Sequence, residues 1–449
     1  MNGRYQAKSL DFAQPCDAAE VESAQPVPSR LDRDQRRERS GSVNAGQTRT
    51  FLPYLEGVRG FFGLYVALAH MWLRVTELRP NLSSALPFFD HFVDFGHGSI
   101  AMFILISGYV LGLPVAQSGQ TFRGGLRKFA KRRALRILPA YYAALAFSIP
   151  ISLVTARLFD ETMPGKTFVL SVGLHALMLH DLSNRVIDTI DSPMWSVAVE
   201  CDIYVLFALL MVPMVRRMGF LPMVGASFAL GLLPTLIGAV RQQGAYYPLS
   251  QGCFWYIGLF ALGYAAANLS VDPRPQFQRM FERWPWQVIA IACGVLTLAI
   301  IAYSPPFETG HGTRWLQDVV LGIAVAAQFT ADARARRNGR PTLFERFFLL
   351  RPLIFFGAFS YSLYLIHLPV LDLIALVIRP GWNDGQVAAW MSFGVVITVV
   401  AAYGFYRVFE RPFLTSYRVR GDQRSMHDRS ELEIPDSDSA APARPAHTA

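Results

Sequence analysis

The chain has 449 residues, of which 52% are hydrophobic and only 17% charged, well below the roughly 25% charge usual in soluble domains. That balance excludes a string of soluble globular domains and points to one polytopic membrane domain. The formal net charge of +9 sits in short basic blocks between apolar stretches, which is the pattern of cytoplasmic membrane loops rather than of a nucleic-acid surface.

Residues 1–50 are rich in Arg, Asp, Ser, Gln and Pro and contain no apolar core for a signal peptide. A run such as "SRLDRDQRRERS" builds no hydrophobic core, so a disordered tail is expected there. Residues 416–449 read the same way. Between the tails, 51–415 reads as a membrane domain. Its apolar segments fall at 57–75, 93–113, 138–157, 196–215, 220–240, 252–269, 286–303, 315–331, 352–378 and 387–408. Each approaches the roughly 20 residues a helix needs to cross a bilayer. The expectation is an all-α protein of about ten spans.

A shorter segment, "TFVLSVGLHALMLH" at 167–180, carries two histidines. If it does not span, the basic loop 121–133, Arg216, Arg217, "DPRPQFQRMFER" and "DARARRNGRPTLFER" all fall on one side with a basic N-terminus. If it spans, the later loops move outside together. The positive-inside rule therefore favours a re-entrant segment and two cytoplasmic termini.

The first span, "YLEGVRGFFGLYVALAHMW", holds Arg59 and His70 eleven positions apart. That is about three helical turns, so both share one face about 16 Å apart along the axis. Ionisable groups inside a membrane mark function by default, although a snorkelling arginine and a satisfied bundle histidine would read alike. "KRRALRILPAYY" puts Arg133 and Arg136 on one face at the start of the third span, as phosphate ligands or as plain anchors. "SPMWSVAVECDIYVLF" places Glu200 inside the fourth span, where it could orient His70 or serve as an interhelical contact. "GAFSYSLYLIHLPV" adds Ser360, Tyr361 and His367 as candidate cavity support, His367 about 22 Å along its span. The cysteines Cys16, Cys201, Cys253 and Cys293 have no metal-site spacing, so no metal is expected and buried free thiols are.

These stretches together resemble the transmembrane acyltransferase family 3, the OafA/YrhL-like O-acyltransferases. "YLEGVRGFFGLYVALAH", "SIAMFILISGYVL", "RRALRILPAYY", "SPMWSVAVE", "FSYSLYLIHLP" and "YRVFERPF" follow in the family's order. The resemblance implies an integral-membrane enzyme that moves an acyl group, expected to be acetyl, from cytoplasmic acyl-CoA to a hydroxyl of a glycan, lipid or natural product. It implies that the Arg59–His70 pair is needed for activity and that Arg133 and Arg136 serve the donor. No bound cofactor is expected; acetyl-CoA is the expected co-substrate. The expected partners are the lipid bilayer, the acyl-CoA donor and a carbohydrate or lipid-linked acceptor, with no nucleic acid and no protein partner. The expected location is a bacterial inner membrane, the expected role polysaccharide modification. The chain departs from the family where Cys201 and Asp202 follow Glu200 in place of Glu-Gln. Direct transfer and an acyl-histidine relay suit the same residues. The competing class is a transporter or flippase without acyl chemistry, which explains the polar residues but not the ordered motifs.

Overall fold

The computed structural model describes residues 52–85, 93, 96–156, 164–183, 185–240, 254–303 and 314–414. The two expected tails, the loop 304–313, Cys16 and Cys253 lie outside the described residues. Every regular element among the described residues is helical. The longer helices are α1 (Pro53–Leu78), α2 (Gly96–Gln117), α3 (Gly125–Thr155), α4 (Gly165–Ala176), α5 (Met194–Met218) and α6 (Phe220–Val240). After them come α7 (Tyr256–Val271), α8 (Pro275–Arg283), α9 (Trp286–Tyr303), α10 (Arg314–Arg337), α11 (Ser360–Ala375) and α12 (Asp384–Leu414).

Of these, α2, α3, α5, α9 and α12 are long and apolar enough to cross a membrane, five in all, or six if α11 and the helix before it count as one span. The chain is thus a multi-pass membrane protein. The expected count of about ten spans is larger than length and composition support, for specific reasons. Helix α1 carries Glu56, Arg59, His70, Arg74 and Glu77 along its 26 residues. Helix α7 has only 16 residues, and α10 ends in Arg334, Arg336 and Arg337. The segment 352–378, read as one span, is two helices, Arg351–Gly357 and α11, bent by 72°. Ser360 closes that bend by donating to the Gly357 carbonyl oxygen at 3.1 Å. His367 therefore lies only about 10 Å from the start of its helix, not 22 Å.

Helix α4 has 12 residues, far short of the roughly 20 needed to span. The Tyr141 and Tyr142 hydroxyls, on α3, donate to its His175 and Ala176 carbonyls, both at 2.9 Å. The two histidines of this segment, His175 and His180, are buried and stack with ring centroids 3.8 Å apart.

The core is organised around α1 and α11. A Cβ on Gly63 would stand 3.3 Å from Ser360 Cβ. His70 meets His367, and Arg74 meets Asp372. The paired numbers rise together, so the two helices run parallel. The start of α1 is packed on the bend before α11 at backbone distance. A Cβ added to Gly60 would lie 2.1 Å from the Leu353 carbonyl oxygen and 2.5 Å from the Gly357 amide. Only a residue without a side chain allows that approach.

Overpacking at a site with no room costs about 1–3 kcal/mol. Gly60→Ala is therefore expected to lower the unfolding midpoint of the detergent-solubilised protein. Gly294→Ala, on α9 with nothing within 4 Å of its added carbon, is expected to leave it unchanged. Equal midpoints for both variants would show that the contact at Gly60 does not constrain the fold.

Candidate functional site

Helices α1, α2, α3, α5 and α11 enclose a cavity of about 780 Å³, counted to its open mouth. Arg59, Arg133, Arg136, Glu200, Ser360 and Tyr361 all line it. Six polar residues singled out from separate stretches of sequence thus share one space. Each has a local reason for its position. Arg133 and Arg136 are one turn apart on α3, on the same face. Arg59 is held by Glu56 three residues earlier, at 3.2 Å. Tyr361 donates to the Ile137 carbonyl at 3.2 Å, tying α11 to the turn that carries Arg136.

The cavity is strongly cationic, and carboxylates balance it. Glu200 accepts hydrogen bonds from Ser107 at 2.8 Å and from Tyr204, and both donors line the cavity. Arg133 lies beside Tyr204 and Glu200, and its Nε is buried without a hydrogen-bond partner among the described residues. Arg136 lies within the fields of Glu410, Glu56 and Glu200. Glu410 is 3% exposed and accepts from Ser362 at 2.6 Å. It closes a π-helical turn at Tyr406–Glu410, and a second such turn, Phe207–Met211, follows Tyr204. Wide turns of this kind re-aim side chains and recur at functional sites.

His70 is not among the cavity-lining residues. It pairs with His367 behind the cavity wall formed by Tyr364. His367 Nε2 and His70 Nδ1 are 3.1 Å apart, with ring centroids 4.8 Å apart. The hydrogen bonds assign the tautomers. His367 Nδ1 stands 2.7 Å from the Tyr364 carbonyl oxygen, so it carries a proton and leaves Nε2 as an acceptor. His70 Nδ1 stands 3.0 Å from the Val66 carbonyl oxygen. A proton there serves both Val66 and His367, which leaves His70 Nε2 with a lone pair. The expected Glu200–His70 link is not what holds the ring: His367 is its partner, and the hydrogen bonds to Glu200 come from Ser107 and Tyr204.

Reading the sequence left several contributors without a role. Ser107 and Glu410 sit inside the quoted motifs "SIAMFILISGYVL" and "YRVFERPF", which was the available signal. Tyr364 follows Tyr361 by three residues, and its hydroxyl pairs with Ser196 at 2.6 Å and donates to the Pro193 carbonyl at 3.0 Å. Asp372 gives no sign in sequence that its partner is Arg74.

A family model described as an acyltransferase domain matches residues 52–407. The O-acetyltransferase OatA of Staphylococcus aureus is 22% identical over 384 residues, covering 81% of this chain and 57% of that protein. The peptidoglycan O-acetyltransferase OatA of Listeria monocytogenes is 23% identical over 392 residues, covering 81% of this chain and 58% of that protein. The chain thus spans little more than half the length of the curated relatives it matches.

One turn beyond the histidine pair, Arg74 Nε donates to Asp372 Oδ1 at 2.8 Å, and Nη2 to Oδ2 at 3.3 Å. Breaking a buried pair from one side costs about 3–5 kcal/mol, whereas replacing both partners by apolar residues is often neutral. Asp372→Leu is expected to lower the unfolding midpoint more than the double variant Arg74→Met with Asp372→Leu. A double variant as unstable as the single one would show that the ion pair does not hold α1 on α11.

Proposed function

The chain belongs to the acyltransferase 3 family, and from that premise we propose that it is a membrane O-acetyltransferase using acyl-CoA. The observation that carries the reading is the convergence of Arg59, Arg133 and Arg136 on one cavity beside the His70–His367 pair. Guanidinium groups recognise phosphate oxygens in pairs, and three of them suit the phosphates of the CoA arm. Arg133 Nε is buried and has no hydrogen-bond partner among the described residues. The basic loop before α3 supports a cytoplasmic position for this end of the cavity, the side on which acyl-CoA would enter. Both termini then lie in the cytoplasm of a bacterial inner membrane.

His70 Nε2 acts as general base. It takes the proton from an acceptor hydroxyl as the oxygen attacks the thioester carbonyl carbon. The carbon–sulfur bond breaks, and the proton on His70 passes to the departing CoA sulfur. His367 Nε2, held as an acceptor through the Tyr364 carbonyl, keeps the His70 proton on Nδ1 and so keeps the base in its active tautomer. His367 is a positioning residue in this scheme. Tyr364 and Ser196 separate the histidines from the cavity, and the thioester must pass them to react. The relatives' names include peptidoglycan O-acetylation, and a glycan hydroxyl is the acceptor class proposed for this chain.

The purified chain in lipid, given acetyl-labelled acetyl-CoA and a membrane glycan extract, is expected to release free CoA and label the extract. Arg133→Gln is expected to raise the KM for acetyl-CoA about tenfold, the equivalent of one charge-assisted hydrogen bond. Arg133→Lys, which keeps the charge, is expected to recover part of the loss. A KM unchanged in Arg133→Gln would remove the donor from this cavity.

A further inference from the structure

A histidine–carboxylate pair lies on the same face of α2 that lines the cavity. Ile100, Ile104, Ser107 and Leu111 all line it, spaced by three or four residues as one helical stripe. His97 continues that stripe one turn toward the α2 N-terminus, about 4.5 Å beyond Ile100. Its Nε2 lies 3.0 Å from Asp318 Oδ2, on α10. The same oxygen accepts from Trp255 Nε1 at 2.8 Å. The Tyr256 hydroxyl stands 3.1 Å from His97 Nε2.

The chemistry of the pair has a direction. Asp318 is 2% exposed at its side chain and His97 13%. A carboxylate fixed by two donors selects the imidazole tautomer with its proton on Nε2. Nδ1 then carries the lone pair. Trp195 packs on Tyr256, the tyrosine that also meets His97, with centroids 6.1 Å apart and planes at 25°. Trp195 is half-buried and directly precedes Ser196 of the cavity wall. A fixed hydrogen-bond acceptor and an indole packed on one shared tyrosine suit a pyranose, which offers hydroxyl donors at its rim and an apolar ring face.

We propose that His97 and Trp195 form a subsite for the acceptor glycan at the α2 N-terminal end of the cavity. His97 Nδ1 accepts a hydrogen bond from a sugar hydroxyl, and Asp318 holds the ring in the accepting tautomer. The subsite rests on the O-acyltransfer reading for its purpose, since it would present the sugar at the cavity end opposite the arginines.

The test uses the full chain in lipid and chitotetraose as the glycan probe, read by saturation-transfer NMR and by acetyl transfer. His97→Gln keeps an amide N–H for Asp318 and removes the Nδ1 lone pair, so it separates binding from the structural tie. Wild type is expected to bind chitotetraose, and His97→Gln to bind it about tenfold more weakly. Trp195→Leu, which removes the indole face, is expected to weaken it independently. In turnover the effect is expected in the KM for chitotetraose, with less than a twofold change in the KM for acetyl-CoA. Equal binding by wild type and His97→Gln overturns the subsite. So does acetyl-CoA turnover by a wild type that does not bind the probe. Probe binding lost in His97→Gln but without acetyl-CoA turnover in wild type upholds the subsite and overturns the acyl-transfer reading instead.

Discussion

The arrangement depends on the parallel packing of α1 against α11. Three contacts in register set it: the close approach at Gly63 and Ser360, the His70–His367 hydrogen bond and the buried Arg74–Asp372 pair. In lipid the hydrophobic effect does not drive helices together, so close backbone packing and polar contacts must do so. Here the polar contact next to the histidines is a buried ion pair. A slip of α1 by one residue would turn His70 by about 100° away from His367. The ion pair that fixes the register therefore also fixes the tautomer of the histidine pair.

The second constraint is charge. Guanidinium groups inside a membrane are costly unless paired or facing a wet space. Arg59, Arg133 and Arg136 meet both conditions, with Glu56, Glu200 and Glu410 as their counter-charges and an open cavity between them. Glu410 comes from the far end of the domain, near the last described residue, and a π-helical turn delivers it. The cavity thus ties the first and last helices of the domain to one electrostatic centre. Removing a carboxylate would leave a buried arginine with less compensation, so the acids support the site.

Much of the site was legible as composition and position, and little of it as contact. The shared face of Arg59 and His70, and that of Arg133 and Arg136, follow from helical period alone. An all-helical membrane domain follows from the run of apolar segments. Contacts between helices do not follow, because period says which residues share a face and not which faces meet. Period thus leaves Glu200 open between orienting His70 and an interhelical contact, where its hydrogen bonds come from Ser107 and Tyr204, and counting along one span misses the bend at Gly357–Ser360 that shortens the path to His367. The count of spans exceeded what helix length and polarity support because several apolar segments form helices that are short or carry charge. Asp372 carries no sign of a site role in sequence, since it acts through Arg74, 298 positions away.

The central claim is that His70 performs the proton transfer at the end of a donor cavity it does not line. A single-turnover assay with acetyl-labelled acetyl-CoA and a membrane glycan extract tests this most directly, comparing wild type with His70→Ala and measuring acetyl-CoA binding alongside. The account predicts that acetyl-CoA binds both proteins alike and that label reaches the glycan only in wild type. Label transfer at the same rate in both would contradict it.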